Sequence, residues 1–352
     1  MMYGKDFTII VPTYRRSHFL ARMIGGLDEL DFGGQLFLSD SSERREFGIT
    51  NDLIQNLEPS YHVEHISVPK SPGMPLAISL NQAIAVAATM VETKYVTMTC
   101  DDDIPIPITL EKASIIMDKD KDVGGVLGDH VFLWLNDQLN KRDYVNGVVP
   151  DTGMLHATFE NMEATATNRL FHFIRHFCNT MYLMTRADRY IECVPPDAYK
   201  INFPHFSAEY LWMFTPVLKG KIRLINDLQA VRQKHEGNIR DGILDDTDRS
   251  ITEAILRPHW QYDANLFVNH IARIISDVDG VAIQDALAVA KEGFARIVGG
   301  RLLGTLGHDG AQLPHIQERA RLYKTVGTEE QFFLSECVDK ILKYDVTEKV
   351  KY

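Results

Sequence analysis

The chain has 352 residues, 45% of them hydrophobic and 24% charged, and its formal net charge is −11 at pH 7. This length allows a large buried core, and the composition is ordinary for a globular protein. The acidic balance argues against nucleic acid as a partner, because no excess of basic side chains is present to neutralise phosphates.

Cysteine usage and hydropathy bear on the compartment. The 4 cysteines are scattered without CxxC spacing, which is typical of free thiols in a reducing compartment rather than of a zinc site or a disulfide framework. The N-terminus has no signal-peptide pattern, and no apolar run approaches the ~20 residues of a membrane-spanning helix. We therefore predict a cytoplasmic protein.

Strands and helices are predicted to alternate in the first part of the chain. The continuous apolar run at 7–13 indicates a strand buried on both faces of a parallel sheet, and Pro12 ends it. The other predicted strands are 35–39, 62–68, 95–100 and 123–127, and the predicted helices between them are 19–27, 50–57, 76–91 and 109–117. This alternation favours a three-layer α/β arrangement around a parallel sheet.

The strand predicted at 95–100 ends in three consecutive acids, Asp101, Asp102 and Asp103. The prolines at 105 and 107 rule out the continuation of a central strand. Adjacent carboxylates repel one another at a buried strand end, and a divalent cation relieves that cost because hard cations bind carboxylate oxygens. The alternative is a solvated acidic turn that precedes the next helix.

Polar residues also follow the first two predicted strands. Thr13, Tyr14 and Arg15 come after the first strand, and Asp40 comes after the second. Ligands of parallel α/β sheets bind beyond the carboxyl ends of the strands, so we expect these residues to meet the acid triplet in one crevice. The alternatives are that Asp40 is a turn residue and that Arg15 and Arg16 are solvated at a helix start.

Two further candidates lie in the middle of the chain. The stretch from Leu170 to Met184 mixes aromatic and basic residues, which indicates a partly buried helix or strand beside the site. Its alternative is a membrane-surface element. Ser207 predicts the N-cap of a helix with Glu209 in its first turn, where the helix dipole alone would also favour a negative charge.

The remaining pattern changes from strand to helix. Strands are predicted at 222–225 and 231–237, and the second contains His235, for which a surface turn is the alternative. We predict domains at 1–245 and 246–352, the second helical and serving as a lid or as the contact of a homo-oligomer. Its apolar stripes are Phe267, Ile271, Ile274, Ile275 and Val278; Ile283, Leu287, Ala290, Phe294 and Ile297; and Leu334, Val338, Ile341 and Leu342.

Residues 5–240 resemble the GT-A-type glycosyltransferases, and among them the large inverting family two. The run from Phe7 to Arg16 is similar to that family's first strand and the loop that meets the nucleotide. Asp40 stands where the family places an acid against the base of the donor. Asp101–Asp103 match its Asp-x-Asp metal motif. Ala208-Glu209 resembles the motif that supplies the catalytic base, and His235 resembles the histidine that completes the metal site.

This resemblance implies a fold, a cofactor and residue roles. The fold is a GT-A-type, Rossmann-like three-layer α/β sheet with a C-terminal α-helical extension. The cofactor is Mn²⁺ or Mg²⁺, held by Asp101, Asp103 and His235, and the catalytic base is Glu209. The implied donor-binding residues are Pro12, Thr13, Tyr14, Arg15, Asp40, Asp101 and Asp102.

The implied reaction is inverting transfer of a sugar from a nucleotide-diphosphate donor, with UDP-sugars favoured, in surface polysaccharide or glycan biosynthesis. The implied partners are a glycan or lipid-linked acceptor and, through peripheral contact, the membrane. Two features depart from the family: Ala208 replaces a second acid before Glu209, and serines replace the acid and glycine beside Asp40. The alternatives are therefore a sugar nucleotidyltransferase and a non-catalytic nucleotide-sugar or carbohydrate-binding module.

Overall fold

A computed structural model describes most of the chain. The described residues are 2–74, 76–134, 160–178, 180–193, 206–234, 255–303, 306 and 314–344. The predicted metal ligand His235 and the predicted domain boundary after residue 245 lie outside them.

Strands and helices alternate in the first part of the chain as predicted, and helices make up its last part. The strands are β1 Phe7–Thr13, β2 Gln35–Asp40, β3 His62–Ser67, β4 Tyr95–Met98, β5 Asp103–Pro105, β6 Val123–Trp134, β7 Met184–Arg186 and β8 Lys221–Lys234. The helices are α1 Ser17–Glu29, α2 Arg44–Leu57, α3 Leu76–Thr89, α4 Pro107–Lys119, α5 Ala166–Arg175, α6 Ala187–Tyr190, α7 Phe206–Lys219, α8 Trp260–Asp279, α9 Ile283–Leu302, α10 Pro314–Lys324 and α11 Glu329–Ile341.

The described strands form one mixed sheet in the order β3-β2-β1-β4-β7-β6-β8-β5. Strands β1 to β4 are parallel to one another, whereas β7 runs antiparallel to both β4 and β6. Strand β8 is parallel to β6, and β5 pairs antiparallel with β8 at the sheet edge. The carboxyl ends of β1, β2 and β4 therefore point to the same edge, as the parallel pattern predicted.

Helices cover both faces of the sheet, which confirms the predicted three-layer α/β arrangement. Successive side chains of β1 point to opposite faces. Ile9 lies in one buried cluster with Leu20 of α1, and Ile10 lies in another with Ile84 of α3. A strand that is buried on both faces can be apolar at every position, and this explains the continuous run that identified β1.

The C-terminal helices add to the same buried clusters. Leu334 and Val338 of α11 belong to the cluster of α1 and β1. Helices α8 and α9 contribute Phe267 and Ala290 to a second cluster with α5 and α7. Two residues of the predicted stripes are instead exposed, Val278 and Ile283, because they flank the tight turn between α8 and α9. Within the described ranges, no helix combines the length and the apolar character needed to cross a bilayer.

Three local predictions differ from the structure. The strands predicted at 222–225 and 231–237 are one strand, β8, in which Leu224 pairs with Leu127 and Leu228 pairs with Asp129. Between these two pairs β8 advances by four residues while β6 advances by two. The polar residues between the two predicted strands therefore lie in a bulge of one continuous strand. The next helix, α7, begins at Phe206, which places Ser207 inside it and not at the N-cap. The stretch from Leu170 to Met184 is not one helix or strand, because it spans the end of α5 and the first residue of β7. Its Tyr182 nevertheless contacts Asp103, so the prediction that this stretch lies beside the site is confirmed.

Candidate functional site

The acid triplet follows the carboxyl end of β4, with Asp101 and Asp102 in a tight turn and Asp103 as the first residue of β5. The Thr99 hydroxyl donates to the carbonyl oxygen of Asp103 at 3.1 Å, and the Asp103 amide donates to the carbonyl of Cys100 at 3.2 Å. Only 2%, 7% and 3% of Asp101, Asp102 and Asp103 are exposed. The alternative of a solvated acidic turn is therefore wrong, and burial of three carboxylates requires compensating charge.

Residues that follow β1 supply part of that charge. The Thr13 hydroxyl donates to Asp101 Oδ2 at 2.9 Å. Arg16, which precedes the first turn of α1, places Nη1 3.3 Å from Asp101 Oδ1 and Nη2 2.7 Å from Asp102 Oδ2. Only 6% of Arg16 is exposed, so the alternative that it is solvated at a helix start is wrong. These contacts join the ends of β1 and β4 into one cluster, as expected for the carboxyl ends of parallel strands.

A second arginine pairs with Asp103 from the neighbouring strand β8. Arg232 of β8 stands opposite Asp103 in the antiparallel β5–β8 pair and donates from Nε to Asp103 Oδ2 at 3.0 Å. The Tyr182 hydroxyl donates to the same oxygen at 2.7 Å. We did not predict Tyr182 or Arg232 as site residues, because they lie 79 and 129 positions from Asp103. Only the pairing of β5 with β8 brings Arg232 to the site.

The cluster contains a group with metal-ligand geometry. Ligand atoms of Cys100, Asp102 and Asp103 all lie within 4.8 Å of one another. Burial and the neighbouring carboxylates raise the pKa of the Cys100 thiol, which favours its protonated form and leaves the carboxylates as the candidate metal ligands. The sequence assigned Asp101 instead of Asp102 to the metal, and that assignment stays a prediction, as does the role of His235.

The electrostatics of the triplet favour a further positive charge. Burial raises the pKa of Asp101 to about 7, with Asp102 adding to the shift and Arg16 opposing it. Burial also raises the pKa of Asp103, although Arg232 opposes it. The two arginines therefore offset only part of the cost of burying these carboxylates. A hard divalent cation fits this oxygen-rich cluster in both charge and ligand type.

Asp40 lies at the end of β2, beside Thr13 in the register of β1 with β2. It is buried, and its Oδ1 accepts the Ser42 amide at 2.8 Å. Its Oδ2 lies 3.1 Å from Nε2 of His65, whose ring stacks on Phe47 with centroids 3.8 Å apart. Asp40 is thus held in place by the neighbouring strand β3, and no sequence pattern pointed to His65.

The loop after β1 forms an exposed rim next to this crevice. Arg15 has a positive φ of 55° and donates from its amide to the Ser42 hydroxyl at 2.7 Å. Its side chain is 56% exposed and pairs with Glu43, which also accepts the Tyr14 hydroxyl at 3.1 Å. The hydrogen bond from Arg15 lowers the pKa of Glu43 to about 2. Pro12 is the residue of β1 beside Ser39 of β2.

Glu209 lies half-buried in the first turn of α7. One turn further on, Trp212 packs in the cluster that contains Met98, the last residue of β4. The other end of α7 pairs Lys219 with Glu192, which follows α6. Ten helical residues span about 15 Å, so Glu209 and Lys219 lie at opposite ends of α7.

No protein-family model matches the chain, and no curated protein does. Among solved structures the chain is similar to TarS from S. aureus, with 14% identity over 84% of this chain and 55% of that chain and a TM-score of 0.45. It thus spans little more than half of that TarS chain. Its similarity to TarS 1-349 in complex with UDP-GlcNAc has 16% identity over 94% of this chain and 91% of that chain, with a TM-score of 0.48.

The chain is also similar to the mannosyltransferase PcManGT from Pyrobaculum calidifontis, in complex with GDP-Man and Mn²⁺. Identity is 16% over 96% of this chain and 87% of that chain, and the TM-score is 0.39.

Proposed function

We propose that the chain is a metal-dependent, inverting glycosyltransferase that moves a sugar from a nucleotide-diphosphate donor to an acceptor hydroxyl. One observation carries this proposal: three buried carboxylates lie together at the carboxyl end of β4, joined to the end of β1 by Thr13 and Arg16. Ligands of parallel α/β sheets bind at this edge, and a buried acid cluster there is suited to a cation and its phosphate ligands.

The acid triplet serves the leaving group. Asp101 and Asp103, with Asp102 beside them and His235 as a further ligand, would hold Mn²⁺ or Mg²⁺. When bound, the cation stabilises the negative charge that develops on the departing diphosphate. The rigid turn between β4 and β5 fixes the carboxylates before the donor arrives, which lowers the reorganisation needed during the reaction.

The ends of β1 and β2 serve the nucleotide. Asp40 accepts a hydrogen bond from the base of the donor, and its carboxylate is already oriented by Ser42 and His65. The segment from Pro12 to Arg15 lines the same crevice, with the exposed Arg15 guanidinium available to phosphate oxygens. A uracil base is the favoured partner of Asp40, because a carboxylate accepts the N–H that the uracil ring presents.

Glu209 serves the acceptor. Its carboxylate removes the proton from the acceptor hydroxyl as that oxygen forms a bond to the anomeric carbon. The bond from the anomeric carbon to the diphosphate oxygen breaks on the opposite side, and its electron pair leaves with the diphosphate. A single displacement of this kind inverts the anomeric carbon and needs no second carboxylate as a covalent nucleophile.

Replacing Asp103 tests the donor site. We expect Asp103→Asn to weaken Mn²⁺-dependent binding of UDP at least about tenfold, because the variant loses one anionic ligand of the cation. Isothermal titration calorimetry with UDP, with and without Mn²⁺, measures this effect. The control is Asp118→Asn, which changes an exposed acid of α4 that pairs with Lys94. Equal UDP binding by the wild type and Asp103→Asn in Mn²⁺ would contradict the proposal.

A further inference from the structure

Arg232 is held against the acid triplet by two aromatic rings and a hydrogen bond. Its guanidinium lies 4.7 Å from the ring centroid of Tyr182 and 5.2 Å from that of Phe132. Its side chain is 13% exposed and donates from Nε to Asp103 Oδ2 at 3.0 Å. Stacking on aromatic rings suits the planar guanidinium better than an ammonium group. The structure thus places the positive charge of Arg232 beside the Asp103 carboxylate.

The same carboxylate belongs to the group with metal-ligand geometry. Asp103 Oδ2 accepts from both Arg232 Nε and the Tyr182 hydroxyl, and that hydroxyl also lies 3.3 Å from Cys100 Sγ. A cation that binds Asp103 through this oxygen must therefore share it with two hydrogen-bond donors. A divalent cation on Asp103 would also stand close to the Arg232 charge in a largely buried site, where like charges repel strongly.

The net charge of the cluster depends on which ligands are bound to it. With all three acids ionised, Arg16 and Arg232 leave one negative charge uncompensated. A divalent cation alone would reverse the sign of the cluster. The diphosphate of a nucleotide supplies further negative charge, and its oxygens accept hydrogen bonds from guanidinium groups in bidentate fashion.

We infer that Arg232 competes with the divalent cation for Asp103, so that the cation binds tightly only together with a nucleoside diphosphate. This inference rests on the proposed function. When the diphosphate arrives, the Arg232 guanidinium turns from Asp103 toward the phosphate oxygens and leaves the carboxylate to the cation. Binding of the cation and of the nucleotide is then coupled, and by linkage each strengthens the other to the same degree.

Removing the guanidinium tests the competition directly. The dissociation constant of Mn²⁺ is measured by electron paramagnetic resonance of the free ion, with and without UDP, so that the readout does not depend on activity. We expect Arg232→Gln to bind Mn²⁺ alone about tenfold more tightly than the wild type, because a competing cation is gone. UDP should then strengthen Mn²⁺ binding less in this variant than in the wild type.

Arg223→Gln is the matched control. Arg223 lies on the same strand and pairs with Glu160 at 3.2 Å, and both side chains are largely exposed. This variant should bind Mn²⁺ as the wild type does. Tyr182→Phe is the second test variant, because it removes the other donor to Asp103 Oδ2. It should show a smaller gain in Mn²⁺ affinity, and it decides the question if Arg232→Gln does not fold.

The outcomes separate this inference from the proposed function. If the wild type binds Mn²⁺ with UDP but Arg232→Gln, properly folded, binds Mn²⁺ alone no more tightly, Arg232 does not compete and the inference is overturned. An unchanged Mn²⁺ affinity in Tyr182→Phe overturns it where Arg232→Gln is unfolded. If neither the wild type nor any variant binds Mn²⁺ in the presence of UDP, the metal-dependent function itself fails, and the inference fails with it.

Discussion

Glu209 is the residue on which the proposed proton transfer depends. It is the acid of the first turn of α7, and Trp212 one turn later packs beside the end of β4. Glutamine keeps the shape of this side chain but cannot accept the proton. We expect Glu209→Gln to lower sugar transfer by about 10²–10⁴-fold while the dissociation constant of the donor stays unchanged.

Comparing the transfer rate with donor binding in the same variant checks this prediction. Glu192→Gln is the control, since Glu192 pairs with Lys219 at the opposite end of α7. Transfer by Glu209→Gln at the wild-type rate would remove Glu209 from the mechanism. A non-catalytic binding module would bind the donor without transferring sugar even as the wild type. Transfer by the wild type that is lost in Glu209→Gln, with unchanged donor affinity, therefore indicates an enzyme.

Sequence patterns could predict the residues that follow strands but not those that complete the cluster. Asp40 and Asp101–Asp103 stand directly after apolar runs, so their place at the sheet edge follows from local order along the chain. Arg16 lies one position beyond the predicted loop residues, and its burial depends on an acid pair that folding brings to it. Tyr182 and Arg232 reach Asp103 only through β7 and β8, and no local spacing encodes those contacts.

Among the contacts between helices, the packing of α8 on α7 makes the free energy of unfolding depend on pH. Nε2 of His270 lies 3.1 Å from the hydroxyl of Thr215 on α7. Burial lowers the pKa of His270 to about 4 from its ordinary 6.5, and Arg273 and Lys219 add to the shift. Between pH 4 and pH 6.5 the unfolded chain therefore binds a proton at His270 more readily than the folded chain does.

The sign of the effect follows from linkage. Stability from neutral His270 is fully present above about pH 6.5 and falls as the pH drops from about 6.5 toward 4, by about 3 kcal/mol for this group. We expect His270→Gln, which keeps a hydrogen-bonding group but cannot be protonated, to lose less unfolding free energy across this window. Urea unfolding from pH 4 to 7.5 compares the two proteins, and identical slopes would contradict the prediction.

Element prediction succeeded where burial alone sets the pattern. The apolar run of β1 and the stripe of α11 follow directly from the faces they bury. It failed for β8, because the polar residues between Leu224 and Leu228 look like a loop but form a bulge paired to β6. Backbone pairing of this kind depends on the partner strand, which the local sequence does not contain.

At the scale of the whole molecule, the C-terminal helices are tied to the sheet that carries the site. Arg319 of α10 pairs with the buried Asp129 of β6, and Tyr323 donates to the same carboxylate at 2.9 Å. Helix α11 packs on α1, and α1 begins at Ser17, directly after the site residue Arg16. The apolar stripes predicted these helices, but not the surfaces they cover. Their roles as a lid or an oligomer contact, and the domain division, stay predictions.

The acid triplet is proposed to support cation-dependent cleavage of a nucleotide sugar. Release of nucleoside diphosphate from a panel of nucleotide sugars, measured with Mn²⁺ and with EDTA, tests this proposal. We expect slow release from at least one donor in Mn²⁺, none in EDTA, and none by Asp103→Asn. The proposal is contradicted if the wild type releases nothing from any donor, or if Asp103→Asn releases nucleoside diphosphate as fast as the wild type.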